Sequence, residues 1–244
     1  MPSEDKRFRN ILAIDSSSEY LQLALAAEDG LEIRVMNRGL KHAEILVPSI
    51  QSILNDRGLT PRDLDGLVCG SGPGSFTGLR IGMAAAKAMS AALSIPMVSV
   101  GSLKAIAAAS PLLDGLRVAV IDARKQRFYV AAWRDSVQVL QDSDLSPGEI
   151  ASAIHALSTS SSGRGTREAI FLCGPHGDLL LEKWKTGDIE GMDAENLGFA
   201  PWAGAMLELG RDQLERGEFD AEDKGPEYIR VSEAELGITR KQAP

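Results

Sequence analysis

Eleven residues, Gly72-Pro73-Gly74-Ser75-Phe76-Thr77-Gly78-Leu79-Arg80-Ile81-Gly82, combine the types that could handle an anion. A glycine-rich turn feeding a helix N-terminus points backbone N–H groups outward, and that arrangement suits phosphate. The nucleotide-binding P-loop, however, needs Lys followed by Ser or Thr after its second glycine, and no such pair follows here. The dinucleotide fingerprint fails too, because its third glycine would fall at Thr77. Ser75 offers a hydroxyl, but a hydrolytic nucleophile needs a base and an oxyanion site, and no His or Asp stands near it in sequence. The three histidines, His42, His155 and His176, include no pair four residues apart, the spacing that sets two imidazoles on one helix face. No metal site is expected. Gly78, Gly82 and Ala86 lie four apart, on one face of the following helix. That stripe fits either tight packing inside the domain or a subunit interface.

The elements that position these residues can be read in order. Residues 10–14 are apolar and end in Asp15-Ser16-Ser17-Ser18. Residues 20–27 and 31–37 alternate as strands around the hairpin turn Glu28-Asp29-Gly30. Residues 42–55 carry a helical apolar face, with Pro48 predicting a kink or a later helix start. Leu67-Val68-Cys69 is a buried strand, and 83–93, rich in Ala, Met and Lys, is helical, capped by Ser75 or Thr77. A strand at 97–100 and a helix at 102–109 follow. Cys69 and Cys173 each end an apolar run and read as buried free thiols.

The pattern then restarts. Val118-Ala119-Val120-Ile121-Asp122 parallels Ile11-Leu12-Ala13-Ile14-Asp15, and Leu172-Cys173-Gly174 parallels Val68-Cys69-Gly70. From Asp to Cys the spacing is 54 residues in one half and 51 in the other. Two matches in register indicate a duplicated unit, strand-strand-strand-helix-strand-helix, in which a mixed sheet carries helices on its faces. The expected lobes are 1–110, which holds the glycine-rich stretch, and 111–244, a reduced copy ending in a helix at 201–217 and a charged tail. Residues 158–168 read as a low-complexity loop and 186–196 as a polar connection.

Charge is uneven. Residues 1–110 carry 11 basic and 11 acidic side chains, whereas 111–244 carry 15 and 23, so the whole net charge of −8 lies in the second half. Phosphate backbones favour clustered Lys and Arg, and no broad basic surface is offered for nucleic acid. No apolar run approaches the roughly 18 residues of a membrane span, and 1–10 is charged, without a signal-peptide core. No membrane association and a cytoplasmic location are expected.

The nonapeptide Gly72-Pro73-Gly74-Ser75-Phe76-Thr77-Gly78-Leu79-Arg80 closely resembles the signature of the TsaB-type (YeaZ) family, whose members take part in making threonylcarbamoyladenosine on tRNA. Ile11-Leu12-Ala13-Ile14-Asp15-Ser16-Ser17, His42, Asp122-Ala123-Arg124 and Pro226-Glu227-Tyr228-Ile229-Arg230 fit the same family, so the match covers most of the chain. The resemblance implies the two-lobed α/β fold of actin, Hsp70 and sugar kinases (ribonuclease H-like), with a truncated second lobe. It implies a non-catalytic scaffold that pairs with TsaD, joined by the ATPase TsaE, for transfer of threonylcarbamoyl to adenosine 37. In that fold a nucleotide sits between the lobes on glycine-containing turns. The turns here, at Asp15 and Ser16 and at Asp122 and Arg124, contain no glycine. They read as a vestigial site in which each Asp caps its turn rather than holding hydrated magnesium. No cofactor is expected on the chain alone, and ATP or ADP is expected only at the interface with TsaD. His42, Gly74, Phe76, Gly78, Gly82 and Ala86 are the expected interface, used for TsaD or for a homodimer through the same helices, with tRNA reached only indirectly. The alternatives, a small-molecule kinase or a peptidase of the same fold, lack glycine turns and a catalytic base respectively.

Overall fold

A computed structural model describes residues 8–39, 41–160, 168–187 and 193–229. The first half runs β1 (Ile11–Asp15), β2 (Tyr20–Ala27), β3 (Gly30–Asn37), α1 (His42–Asn55), β4 (Gly66–Gly72), α2 (Phe76–Leu93), β5 (Met97–Gly101) and α3 (Ser102–Ala109). The second runs β6 (Leu116–Arg124), β7 (Arg127–Arg134), β8 (Val137–Leu145), α4 (Pro147–Ser160), β9 (Ile170–Cys173), α5 (Gly177–Thr186), β10 (Ala194–Asn196) and α6 (Ala203–Arg216). One sheet has the order β3-β2-β1-β4-β5 and the other β8-β7-β6-β9-β10. In both, the first three strands are antiparallel and the last two join in parallel. The duplicated unit is therefore real, and the fold is the two-lobed actin-like one. Asp15 ends β1, and Asp122 lies two residues before the end of the equivalent strand β6.

Helix α1 starts at His42 and contains Pro48, which excludes the later start. Local expectations differ from the structure at two places. Helix α4 occupies the beginning of the expected 158–168 loop, of which 161–167 lie outside the described residues. The polar connection at 186–196 contains β10, too short and too polar to be seen as a strand, while 188–192 lie outside the described residues. The second lobe is reduced as expected: it keeps five strands, but β9, β10 and α5, the last with 10 residues against 18 in α2, are short.

Strand period sorts the core. Leu12, Ile14, Leu21, Leu23 and Leu25 face α1 and α2. Leu116, Val118, Val120, Phe128 and Val130 face α4 and α5. The other face of each sheet is built from smaller side chains, among them Ala13, Ala24, Ala26, Ala119 and Ala131, and these pack in one cluster with residues of α3 and α6. Small residues on the sheets let the inner helices approach closely. On α6, a Cβ at Gly210 would overlap the Val68 side chain. Helix α6, grouped with the second half by chain order, packs on the first sheet, against β1, β2, β4 and β5 as well as α3. Among the described residues, no helix is long and apolar enough to cross a membrane.

Two polar side chains brace this inner layer. Arg117, buried on β6, donates to the carbonyls of Ala107, at the C-terminal end of α3, and of Asp135. A helix C-terminus is a favourable neighbour for a buried cation. Gln22, fully buried on β2, accepts from the amides of Trp202 (2.9 Å) and Ala203 (3.3 Å) and so caps α6 from across the core. Replacing Gln22 by Leu strands two helix-start amides inside the protein. We expect a loss of about 1–3 kcal/mol in urea unfolding, with native-like circular dichroism; an unchanged midpoint would show that the cap contributes nothing.

Candidate functional site

The glycine-rich stretch is folded against the turn that follows β1. Ser75 caps α2, its hydroxyl accepting from the Gly78 amide at 3.2 Å. The Ser75 amide donates to Ser17 O at 2.6 Å, and the Ser16 hydroxyl donates to Gly78 O at 2.8 Å. A Cβ at Gly74 would overlap Ser17 O, one at Gly78 would overlap Ser16 O, and one at Gly82 would overlap Ser16 Oγ, each nearer than 3.0 Å. Gly74 and Gly78 let backbone meet backbone, and Gly82 makes room for the Ser16 side chain.

This geometry corrects the expected docking face. Gly78 and Gly82 are buried against the chain's own first strand and its turn, and Ala86 is buried in the core of the same lobe, so the stripe is internal packing and is not available to a partner. His42 is only 1% exposed and sits under the same turn, its Nε2 2.7 Å from Ser18 O. Gly74 and Phe76 remain half-exposed. The residues that α2 turns outward are Thr77, Arg80, Ala84, Ala88, Ala91 and Ala92. Nothing in composition singled these out, because small residues lie on both faces of the helix.

The two aspartates act alike. Asp15 Oδ1 accepts from the Ser17 amide (2.9 Å) and hydroxyl (2.7 Å), while Oδ2 accepts from the Ser102 hydroxyl at 3.2 Å. Asp122 Oδ1 accepts from the Arg124 amide at 2.8 Å, and Oδ2 lies 3.3 Å from the Arg124 guanidinium. Each carboxylate thus closes its own turn. In the second turn Arg124, Lys125 and Gln126 all take left-handed backbone conformations (φ 63°, 54° and 58°) without glycine, and such strain gathers where a tight turn is held by its surroundings.

His176, just before α5, joins the lobes: Nδ1 accepts from the Asp122 amide at 3.0 Å, and Nε2 lies 3.2 Å from Glu19 Oε1 on the first lobe. Burial pushes the Glu19 carboxyl up, but the hydrogen bonds from His176 and from backbone, with the nearby Arg124 charge, outweigh it and hold the group below the usual range. With both ring nitrogens engaged, His176 has no free nitrogen to take a proton from a substrate. Glu19, Ser102 and His176 were not expected in this cluster; only the fold brings them to Asp15 and Asp122. Burial raises both thiols, Cys173 to about 11 and Cys69 further, with Asp15 adding to the rise at Cys69. They are inert as nucleophiles at neutral pH. Among the described residues no three His, Cys, Asp or Glu side chains converge as metal ligands.

The segment after α6 crosses this region. The Glu227 amide donates to Ser71 O at 2.8 Å, Lys87 Nζ donates to Glu222 O at 2.6 Å, and the Tyr228 ring stacks near Phe76, with centroids 4.7 Å apart. Arg230 of the expected Pro226–Arg230 element lies outside the described residues.

A family model described as TsaD, tRNA N6-adenosine threonylcarbamoyltransferase, matches residues 38–170, more than half of the chain. The chain belongs to that family, in its TsaB/YeaZ branch. Of similar proteins, a tRNA threonylcarbamoyladenosine biosynthesis protein TsaB from Bacillus subtilis is 38% identical over 125 residues, covering 51% of this chain and 55% of the relative. The TsaB protein of Escherichia coli is 32% identical over 126 residues, covering 51% and 54%. The chain thus spans about half the length of these relatives. A crystal structure from Pseudomonas aeruginosa, described as similar to peptidase YEAZ, aligns with TM-score 0.71 at 24% identity over 91% of this chain and 99% of that one. This likeness establishes the shared TsaB/YeaZ fold.

The signature contact of this TsaB-family chain has a clear mutational test. In an ordinary exposed helix, Gly→Ala gains up to about 1 kcal/mol. Gly78→Ala should reverse that sign and lose about 1–3 kcal/mol, because the methyl meets the Ser16 carbonyl. Chemical denaturation reads the sign directly, and stabilisation would mean that the turn and helix are not in contact.

Proposed function

We propose that this chain serves threonylcarbamoyladenosine formation on tRNA as a non-catalytic accessory subunit. It docks on a TsaD partner through the outward face of α2 and the adjoining face of α1, with the ATPase TsaE joining the pair. The observation that carries this reading is the outward face of α2. This 18-residue helix contains no acidic residue, and it turns Thr77, Arg80, Ala84, Ala88, Ala91 and Ala92 to solvent. A solvent-facing helix surface ordinarily carries charged residues of both signs. Beside it α1 exposes Ala43 and Val47, the latter 56% exposed. Alanines let a partner helix approach to the near end of the usual spacing of roughly 8–10 Å, so two helices from each side make a four-helix contact.

The names of the matched TsaB relatives support the pathway. The closed turns support the accessory role: the carboxylates of Asp15 and Asp122 are spent on their own backbone. The acidic second half supports a tRNA held by the partner and not by this chain. Any ATP or ADP belongs at the interface between partners, and a homodimer through the same face would compete with TsaD.

Ala88→Arg tests the reading. Arg is a good helix former and the site is exposed, so the melting temperature should hold. Affinity for TsaD of the same organism, measured by calorimetry, should fall by about thirtyfold or more, the size of an interface hot spot. Unchanged affinity would remove this face from the interface.

A further inference from the structure

Arg80 is held in an unusual way for an exposed cation. Its guanidinium lies over the Phe76 ring, 3.8 Å from the centroid, and 5.8 Å from the centroid of Tyr228. Its Nε donates to the Tyr228 hydroxyl at 3.0 Å. Phe76 sits one helical turn before Arg80, and Tyr228 is brought in by the segment after α6, itself fixed by the Glu227–Ser71 backbone bond. Among the described residues, the two terminal nitrogens of Arg80 have no hydrogen-bond or carboxylate partner. Stacking removes the rotamer freedom that a surface arginine normally loses on binding, and it leaves the planar fork presented. Nothing within the fold requires a positive charge here, since Tyr228 could stack on Phe76 without it.

We infer that the Phe76–Arg80–Tyr228 stack is a recognition site for a carboxylate, Asp or Glu, carried by the partner helix that lies along α2. The inference rests on the proposed docking through α2 and names the charge that the partner must supply. The surroundings favour a protein carboxylate over a nucleic-acid phosphate. Along the same face the next positions are Ala84, Ala88 and Ala91, and the next cation on the helix, Lys87, is drawn to the Glu222 carbonyl. A nucleic-acid backbone calls for several clustered cations, whereas a bidentate pair with one carboxylate calls for a single fixed guanidinium. Tyr228 then acts as a positioning residue: it holds the fork and does not touch the partner.

The experiment compares wild type, Arg80→Gln, Arg80→Lys, Tyr228→Phe and Ala88→Arg in full-length chains. Binding to TsaD of the same organism is measured at low and high salt, alongside melting temperature and tRNA affinity of the complex. Arg80→Gln should weaken TsaD binding about tenfold, the loss of one charge-assisted hydrogen-bonded pair. It should also flatten the salt dependence and leave the melting temperature unchanged. Arg80→Lys, which keeps the charge but not the fork, should recover only part of that loss. Tyr228→Phe should show a smaller loss, with the salt dependence retained. Wild-type affinity in Arg80→Gln while Ala88→Arg abolishes binding overturns the recognition site and leaves the docking face standing. Wild-type affinity in both overturns the docking face and the recognition site with it. A lowered melting temperature with unchanged salt dependence would make the stack structural. Loss of tRNA affinity with TsaD binding intact would make the ligand a phosphate. Either of these outcomes also overturns the assignment.

Discussion

Everything at the centre of this protein depends on a contact between two pieces of backbone. Residues 16–18, just past β1, lie directly on residues 74–78, where α2 begins, and the hydrogen bonds Ser75 N to Ser17 O and Ser16 Oγ to Gly78 O join them. Carbonyl groups can come so near a helix only where no Cβ intervenes, which is why Gly74 and Gly78 fall where they do, and Gly82 makes the same room for the Ser16 hydroxyl. His42 supports the turn from below and Asp15 closes it from within. A glycine-rich turn before a helix suggests a cradle for phosphate; in this fold the object cradled is the chain's own next turn.

A second constraint acts between the lobes. The inner faces of the sheets are rich in alanine, and α3 and α6 fill the space between them as one shared core. Polar groups join the layers at set points: buried Gln22 to the start of α6, buried Arg117 to the end of α3, and the partly exposed His176 to Glu19. Each is a directional bond across layers that apolar contact alone would hold without a fixed register. The same closeness takes up the groups that might otherwise do chemistry. Both turn aspartates, the interlobe histidine and both thiols are satisfied or buried within the chain.

What remains outward is a helix face of small residues with a stacked arginine at one end. A surface of that kind says more about association than about turnover. The tail after α6 contributes to it, because Tyr228 lies more than a hundred residues from Phe76 in sequence yet shares its stack.

The sequence by itself determined the two related units, the strands that carry Asp15 and Asp122, a hydroxyl cap at the start of α2 and the family, because these depend on local periodicity, turn chemistry and a compact motif; that the cap is Ser75 and not Thr77 came from the structure. Only the tertiary structure decided which face of α2 is spent. Gly78-Gly82-Ala86 and Ala84-Ala88-Ala91 are both small-residue rows at helical spacing, and periodicity cannot say which row meets the Ser16 carbonyl and which meets solvent. Nor could it place α6 on the first sheet, since that choice follows from Gly210 fitting over Val68 and from the Gln22 cap, contacts between residues far apart in the chain. β10 went unseen for a related reason: three residues, two of them polar, become a strand only because Ile170–Cys173 offers them an edge to pair with.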